Sequence, residues 1–468
     1  MITRIEITGF KTFMDFTMEF SPFTIIAGTN ASGKSNLFDA LRLLSKLAEM
    51  DLRTSFSEQR GEAIEQFTMF SSNDFAKEIS FAVEMLLDKT IKDNWGGKAT
   101  LKYTRLRYEL KIKRENNTRG IEDLFITHEQ LITIRPDKDE WIKKYLPKKV
   151  AEVWRPKVKT GKRGKPYIYT IEEKGIITIK LPQDGKKGGK ESPANAVAQT
   201  VLSGINDVEF PHAFAAKEEM KNWHFLQLNP VDLRKPSPRI ASDIITPSGA
   251  NLASALYRIK MQGEYLLSDI SRQLNNLLPN FVQVKVEEDL ANNQFVIKLK
   301  NEDNREFTSR VLSEGTLRLL ALCVLKYDEK YKGILCFEEP ENGVHPFRLD
   351  MMIKLLKEIT TDFLETEEPI LPLRQVIVNT HSSNFIADIF DSKELNITVW
   401  FSQLVSTISE EDTKKRKCQF TKILPVVRGS AQMNLFDNLI SEQEKELTKN
   451  EAINFLKTKD HETNSNKK

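Results

Sequence analysis

The sequence predicts an α/β protein in which helices flank a mixed sheet, and three stretches of the chain support this prediction. Each contains a short apolar run that is typical of a strand buried on both faces of a parallel sheet. The runs are FTIIA (23–27), ILCF (334–337) and VIV (376–378). Glycine, acidic or polar residues follow each run directly. Because ligands bind at the carboxyl ends of parallel strands, we expect ligand-binding residues in these turns.

Composition places this fold in a soluble chain. The 468 residues, 40% of them hydrophobic, suffice for two or three domains, and 69 basic residues nearly balance 66 acidic ones. Three widely spaced cysteines, Cys323, Cys336 and Cys418, form no C-x-x-C pair, which argues against a disulfide framework or a zinc site. No stretch approaches the ~20 apolar residues of a membrane span. We expect a cytoplasmic protein.

The first run leads into a phosphate-binding pattern, GTNASGKSN (28–36), and then into the helix-like LFDALRLLSKL. Glycines allow successive N–H groups to face a polyphosphate, Lys34 would reach its terminal phosphates, and the Ser35 hydroxyl would bind magnesium. A glycine turn with a chance lysine is the alternative, and the order of strand, loop and helix disfavours it. We expect nucleotide contacts from Gly28, Asn30, Ala31, Ser32, Gly33, Lys34, Ser35 and Asn36.

The second run ends in two carboxylates. Glu338 would hold magnesium, and Glu339 would orient and deprotonate an attacking water. A solvated acidic turn is the alternative for this segment alone. The phosphate loop elsewhere in the chain weakens that alternative.

The third run ends in polar residues and His381, in QVIVNTHSSNF. A histidine at the carboxyl end of a parallel strand can contact a γ-phosphate. Alone, such a residue is more often a capping or core histidine. Its position after this strand favours contact with the γ-phosphate, and we expect His381 to be a catalytic residue.

Taken together, these motifs resemble the ABC-type ATPases of the SMC and RecF group. The run GFKTFMDF…FSPFTIIAGTNASGKSNLFDAL is similar to the N-terminal half of an SMC head, and LSEGT (312–316) resembles the family's signature loop. LCFEEP resembles its Walker B segment and NTHSSNF its switch-histidine segment. The likeness covers roughly residues 1–45 and 310–390. Within the group, the chain is most similar to stand-alone AAA ATPases related to the overcoming-lysogenisation-defect proteins of bacterial antiphage operons.

The resemblance implies an ABC-type P-loop ATPase head that binds ATP and Mg²⁺ and releases ADP and phosphate. It also implies that Ser313 and Gly315 cover the nucleotide of a second subunit, so that the chain forms a homodimer or a larger homo-oligomer. Ser313 also reads as a plain helix N-cap, and both roles can hold at once.

Three positions depart from the family pattern. Glu338 stands where the family usually has aspartate, and His345 stands where ABC proteins usually carry the D-loop aspartate. No Q-loop can be placed, although Gln66 and Gln130 are candidates.

The middle of the chain predicts an inserted α+β lid in place of a long coiled coil. Residues 46–309 show no sustained heptads and are interrupted by proline and glycine. Alternating runs such as RLRYELKIK and FVIKLK predict antiparallel strands. We expect an N-terminal ATPase lobe (1–134), a basic insertion (135–200), a linker and lid (201–309), a C-terminal lobe (310–459) and a disordered tail (460–468).

The basic insertion suggests DNA as a further partner. Residues 135–190 hold 17 Lys or Arg against 7 Asp or Glu, a net charge of +10. Its loops could follow a phosphate backbone, and Tyr167 and Tyr169 could stack on a base. A solvated insertion or a protein-docking arm explains the composition equally well.

Two classes of function follow. The first is a nucleotide-gated sensor or regulatory subunit, in antiphage defence, that acts with a separate effector such as a nuclease. The alternative is a RecF- or SMC-like repair or recombination ATPase. We expect no nuclease site in this chain, because its only D-x-D, Asp137–Asp139, lies in the basic insertion and residues 391–468 are too few for a TOPRIM domain.

Overall fold

A computed structural model describes most of the chain. The described ranges are 1–71, 74–116, 120–154, 166–174, 176–183, 189–193, 198–363, 373–390, 396–409, 416–426 and 441–465. Much of the basic sequence that suggested DNA binding, 155–165 and 184–188, lies outside them. Within the described ranges, no helix combines the length and apolarity needed to cross a membrane.

Twenty-two strands are described. In chain order they are β1 (Ile2–Thr8), β2 (Phe16–Glu19), β3 (Phe23–Ala27), β4 (Met69–Ser71), β5 (Asp74–Phe75), β6 (Glu78–Leu86), β7 (Thr90–Lys92), β8 (Lys98–Thr100), β9 (Arg105–Asn116), β10 (Glu122–Thr133), β11 (Tyr169–Glu173), β12 (Ile176–Pro182), β13 (Gly189–Pro193), β14 (Trp223–Leu226), β15 (Ser237–Pro238), β16 (Phe281–Asp289), β17 (Gln294–Asn301), β18 (Glu306–Thr308), β19 (Gly333–Glu338), β20 (Arg374–Thr380), β21 (Ile397–Ser409) and β22 (Arg416–Pro425).

Twelve α-helices are described in the same ranges. They are α1 (Lys34–Leu47), α2 (Leu52–Ser57), α3 (Glu140–Tyr145), α4 (Lys148–Trp154), α5 (Pro211–Lys221), α6 (Pro230–Arg234), α7 (Leu252–Gln262), α8 (Glu264–Leu277), α9 (Glu314–Tyr327), α10 (Leu349–Ile359), α11 (Ser383–Phe390) and α12 (Glu442–Ser465). Short 3-10 helices lie at Ala63–Gln66, Leu202–Gly204, Ser309–Val311 and Pro346–Arg348.

A six-stranded mixed sheet positions the three motif-bearing turns. Its order is β14-β19-β20-β3-β21-β22, in which the first five strands run parallel and β22 runs antiparallel to β21. Strand β20 lies between β3 and β19, so all three runs end at the same edge of one sheet. The predicted α/β fold with a mixed sheet is confirmed.

Both faces of this sheet are buried, which explains its continuous apolar runs. Ile26, Cys336 and Ile377 face α1 and the antiparallel sheet β10-β9-β6-β1-β2. The alternate residues, among them Ile25 and Val378, join a second core with α7 to α10. Every strand of the motif edge is therefore fixed from two sides.

The middle of the chain forms antiparallel strands and short helices, as the alternating runs predicted. RLRYELKIK falls in β9, and FVIKLK falls in β17 of a sheet formed by β15 to β18. The longest described helix between residues 46 and 309 is α8, which has 14 residues. The described residues of this region therefore form an inserted α+β lid and contain no long coiled coil.

Two segments are more regular than their composition suggested. The segment predicted as linker includes β14, which pairs in parallel with β19 and extends the central sheet. The predicted disordered tail is partly helical, because α12 continues to Ser465, while residues 466–468 lie outside the described ranges. Ala452 of α12 is buried and the Phe455 ring contacts that of Phe401, so packing of the first half of α12 explains a helix in such a charged sequence.

Candidate nucleotide site

The phosphate loop joins the end of β3 to the start of α1. Gly33 has a φ of 91° and precedes the first helical residue, Lys34. A Cβ at Gly33 would lie 1.8 Å from Oγ1 of Thr421 on β22. The loop path therefore needs glycine here for both conformation and space.

Strands β21 and β22 brace this loop from the far end of the sequence. Ser402 Oγ donates to the carbonyl oxygen of Ser32 at 2.9 Å. Thr421 and Thr12 hydroxyls lie 2.7 Å apart. Sequence reasoning missed both contacts, since nothing in the strands themselves indicates which loop they touch.

Lys34 is buried inside the loop. Its Nζ donates to the carbonyl oxygens of Gly28 (2.8 Å) and Thr29 (2.7 Å). Burial lowers the pKa of Lys34 to about 8, although the carboxylates of Glu339 and Glu341 oppose the shift. The ammonium is thus held by the backbone that would surround a phosphate.

A cavity of about 210 Å³ opens beside the loop. Its walls are residues 30–36 together with Glu339 and Asn379. All of the predicted loop contacts except Gly28 lie on this wall. The N-terminus of α1 adds its partial positive charge, so the cavity suits an anion.

Glu339 reaches the cavity from the end of β19. Its Oε1 lies 3.0 Å from Nδ1 of His381, and its Oε2 accepts from Nδ2 of Asn342 at 2.8 Å. The Glu339 backbone has a φ of 47°, and its N–H donates to the carbonyl oxygen of Asn379 at 2.8 Å. The structure brings the predicted base into contact with the predicted switch histidine, and of the two only Glu339 lines the cavity.

Glu338 points elsewhere. It is not part of the cavity wall, and its Oε1 lies 3.9 Å from Nη2 of Arg42. Burial raises the pKa of Glu338, while Arg60 and Arg42 oppose the shift. Asp39 lies in the same charged cluster and accepts from Lys11 and Arg60. Magnesium binding by Glu338 stays a prediction.

Sequence reasoning missed a third carboxylate, Glu341. The Thr380 hydroxyl donates to its Oε1, and among the described residues its buried Oε2 has no partner. Burial raises the pKa of Glu341. The sequence E-E-P-E (338–341) places Glu341 two residues after Glu339, and this closeness could have indicated a third carboxylate at the site.

Oxygen donors around Ser35 fit a magnesium ion. Hard cations of this size prefer hydroxyl and carboxylate oxygens. Asn379 Nδ2 lies 3.4 Å from Ser35 Oγ, and within the described ranges the buried Asn379 Oδ1 has no hydrogen-bond partner. Sequence reasoning also missed Asn379, although a polar residue at the end of an apolar strand is a signal.

The signature residues lie outside this cavity. Ser313 is exposed and caps α9, where its Oγ accepts from the Thr316 N–H at 3.3 Å. Gly315 packs against the turn after β19, because a Cβ there would lie 2.7 Å from the carbonyl oxygen of Gly343. Ser313 and Gly315 therefore do not complete the cavity of their own chain.

The candidates for a Q-loop do not reach the cavity wall. Gln66 is buried and donates to the carbonyl oxygens of Arg60 and Glu62. Gln130 lies within β10.

Three lysines in the described part of the basic insertion form ion pairs. Lys143, Lys144 and Lys180 pair with Glu140, Glu19 and Glu191. Tyr167 is buried and stacks on His212 with ring centroids 4.2 Å apart, so its expected base-stacking role was wrong. Tyr169 begins β11.

Two family models match the chain. One, described as "AAA ATPase domain", matches residues 1–183, which contain the phosphate loop. The other, described as "AAA domain, putative AbiEii toxin, Type IV TA system", matches residues 203–387, which contain Ser313, both glutamates and His381. The chromosome partition protein Smc of Thauera aminoaromatica is 32% identical over 130 residues, which are 27% of this chain and 10% of that protein. The match thus spans about a tenth of that relative.

Solved structures of SMC heads align with most of the chain. The head of an Smc protein bound to the C-terminal winged-helix domain of ScpA is 14% identical, covers 91% of this chain and 98% of its own, and has a TM-score of 0.49. The Thermotoga maritima SMC head is 13% identical, with 91% and 98% coverage and a TM-score of 0.36. The Pyrococcus furiosus Smc head, bound to the C-terminal domain of ScpA, is 14% identical, with 91% and 96% coverage and a TM-score of 0.42. The strand order of the central sheet shows the α/β fold independently of these alignments.

Proposed function

We propose that this chain, an SMC/RecF-like ABC-type ATPase, binds ATP with Mg²⁺ in the cavity beside Lys34 and hydrolyses it when a second copy closes over the nucleotide. The observation that carries the proposal is that Glu339, whose carboxylate contacts His381, lines the same cavity as the phosphate loop. The loop supplies affinity for phosphates, and the pair supplies the groups that act on water.

Each residue has a role that follows from its position. Lys34 exchanges two backbone carbonyls for phosphate oxygens, which are stronger partners because they are charged. Glu339 orients the attacking water and accepts its proton, and His381 fixes one oxygen of that carboxylate. Magnesium, when bound, neutralises charge on the phosphates, and the Ser35 hydroxyl is placed to hold it.

The need for a second copy follows from the signature residues. The exposed Ser313 hydroxyl and the N-terminus of α9 form an anion-binding feature that the chain's own cavity does not use. A second copy could present them to the γ-phosphate. ATP would then join two heads, and hydrolysis would release them.

We further propose that this cycle serves a sensor or regulatory role with a separate effector, as in antiphage defence. The words "Type IV TA system" in one matching family description name a system and not a lone protein, which supports a separate partner. DNA repair or recombination is the alternative. Co-expression with the products of neighbouring genes distinguishes them: a nuclease that co-purifies in an ATP-dependent manner supports the first, and no such partner supports the second.

Matched lysine variants of α1 test the ATP site. Lys34→Ala should abolish ATP binding, measured by isothermal titration calorimetry. Lys46→Ala removes a lysine that pairs with Glu58 at the other end of the helix, and should leave binding unchanged. Equal ATP affinity in both variants would refute the proposed site.

A further inference from the structure

Asn379 is the last polar side chain of β20 that reaches the phosphate cavity, and its amide is only partly used. The residue is 3% exposed and lies directly between Ile26 of β3 and Glu338 of β19 in the sheet register. Its Nδ2 makes a long contact, 3.4 Å, to Ser35 Oγ. Its Oδ1 is buried without a partner among the described residues.

A buried amide oxygen without a donor is unfavourable, so its persistence at a site calls for an explanation. The neighbouring hydroxyl supplies one. A serine oxygen that gives its lone pair to magnesium still has its proton to donate. Asn379 Oδ1 is an acceptor beside that hydroxyl, and the two ends of an amide exchange places by rotation about the last side-chain bond.

We propose that Asn379 is a positioning residue for magnesium: its amide oxygen accepts the Ser35 hydroxyl proton and so turns the serine lone pair toward the metal. The inference rests on the proposed ATP site. Outer hydrogen bonds of this kind orient metal ligands in many proteins. In the structure Nδ2 faces Ser35 Oγ at 3.4 Å, and rotation of the amide would present Oδ1 to the same hydroxyl.

The same residue also connects the metal side of the cavity to the base. The Asn379 carbonyl oxygen accepts from the Glu339 N–H at 2.8 Å, at a residue with a φ of 47°. The backbone of Asn379 is thus hydrogen-bonded to the turn that carries Glu339, so a change at Asn379 on metal binding could reach that turn. Among the described cavity residues, Asn379 therefore has hydrogen-bond geometry to both the Ser35 hydroxyl and the Glu339 backbone.

The test measures how magnesium strengthens nucleotide binding, with a fluorescent non-hydrolysable ATP analogue. Affinity is determined in EDTA and then across a magnesium titration. For Asn379→Ala we expect the half-saturating magnesium concentration to rise about tenfold or more, the usual effect of losing such a partner. Affinity in EDTA should stay near that of the wild type, because Lys34 and the loop are intact.

Two further variants make the result specific. Asn379→Asp keeps an acceptor and should bind magnesium at least as well as the wild type. Asn342→Ala removes an amide that contacts Glu339 but not Ser35, and should leave the magnesium half-saturation unchanged. If Asn379→Ala does not fold, Asn379→Leu, which keeps the branch at Cγ but has no hydrogen-bonding atoms, replaces it.

The outcomes separate this inference from the proposed function. A wild type that does not bind the analogue with magnesium overturns the ATP site itself. A wild type that binds, together with an unchanged half-saturation in Asn379→Ala or Asn379→Leu, overturns only the role of Asn379. Equal weakening in Asn379→Asp overturns the assignment of Oδ1 as the acceptor.

Discussion

ATP binding should weaken as pH rises above 8, because Lys34 is close to losing its proton in the empty site. Burial lowers the pKa of Lys34 to about 8, and bound phosphates would favour its charged form again. Binding then takes up a proton at any pH where the lysine is neutral. The affinity for ATP therefore changes with pH in one direction. It is full below the lowered pKa of Lys34 and falls as the pH rises above it.

The size of the effect follows from the fraction of charged lysine. With a pKa of about 8, roughly three quarters of the side chain is charged at about pH 7.5 and roughly one tenth at about pH 9, so affinity should fall about eightfold between them. In this range the γ-phosphate of ATP is already ionised, so its own titration contributes little.

Isothermal titration calorimetry in two buffers of different ionisation enthalpy measures both affinity and proton uptake. The wild type should take up close to one proton per ATP at about pH 9 and about a quarter of a proton at about pH 7.5. Lys34→Arg is the matched control, since a guanidinium stays charged throughout. A wild-type affinity independent of pH, or the same proton uptake in Lys34→Arg, would refute the reasoning.

Three further outcomes are expected. Glu339→Gln should retain ATP binding while phosphate release falls about 10²- to 10⁴-fold, the usual loss for a general base; a rate near wild type would place the base elsewhere. Gly33→Ala should lose ATP binding, because the new Cβ meets Thr421 Oγ1, whereas Gly96→Ala has similar positive φ (87°) and open space around it and should bind normally. DNA binding, measured by fluorescence anisotropy against salt, should lose about one unit of log–log slope per phosphate contact when residues 155–165 are deleted; an unchanged slope favours a protein-docking role.

The proposed ATP site was predictable from sequence wherever its parts are local. Strand, glycine loop, lysine and helix follow one another within residues 23–47, so their order alone indicated the phosphate loop. The pair of Glu339 and His381 is not local. It was predictable because each residue ends a buried strand, and parallel strands end at one edge.

What escaped prediction depends on which strands become neighbours. Thr421 contacts Thr12, which lies 409 positions away in the sequence. The sequence of a strand does not indicate which distant segment will pack beside it. The place of β14 in the central sheet was not predicted. The strand has only four residues, and the proline-rich sequence close to it indicated an extended linker. The approach of Arg42 to Glu338, at 3.9 Å, was likewise not indicated by sequence, because only the folded chain brings α1 beside the end of β19.

Sites shared between two copies are the central claim, and one mixing experiment tests it most directly. Ser313 is exposed, so Ser313→Arg adds a cation at the proposed interface and also removes the helix cap; Ser313→Ala removes the same cap without the cation and serves as its control. Ser313→Arg should lose ATP hydrolysis but keep ATP binding, and Lys34→Ala should lose both. In an equal mixture about half of randomly formed dimers are mixed, and one of their two sites is intact, so turnover should return to about a quarter of the wild-type rate. Wild-type hydrolysis by Ser313→Arg alone would contradict the shared site and leave a P-loop ATPase that works as a single chain.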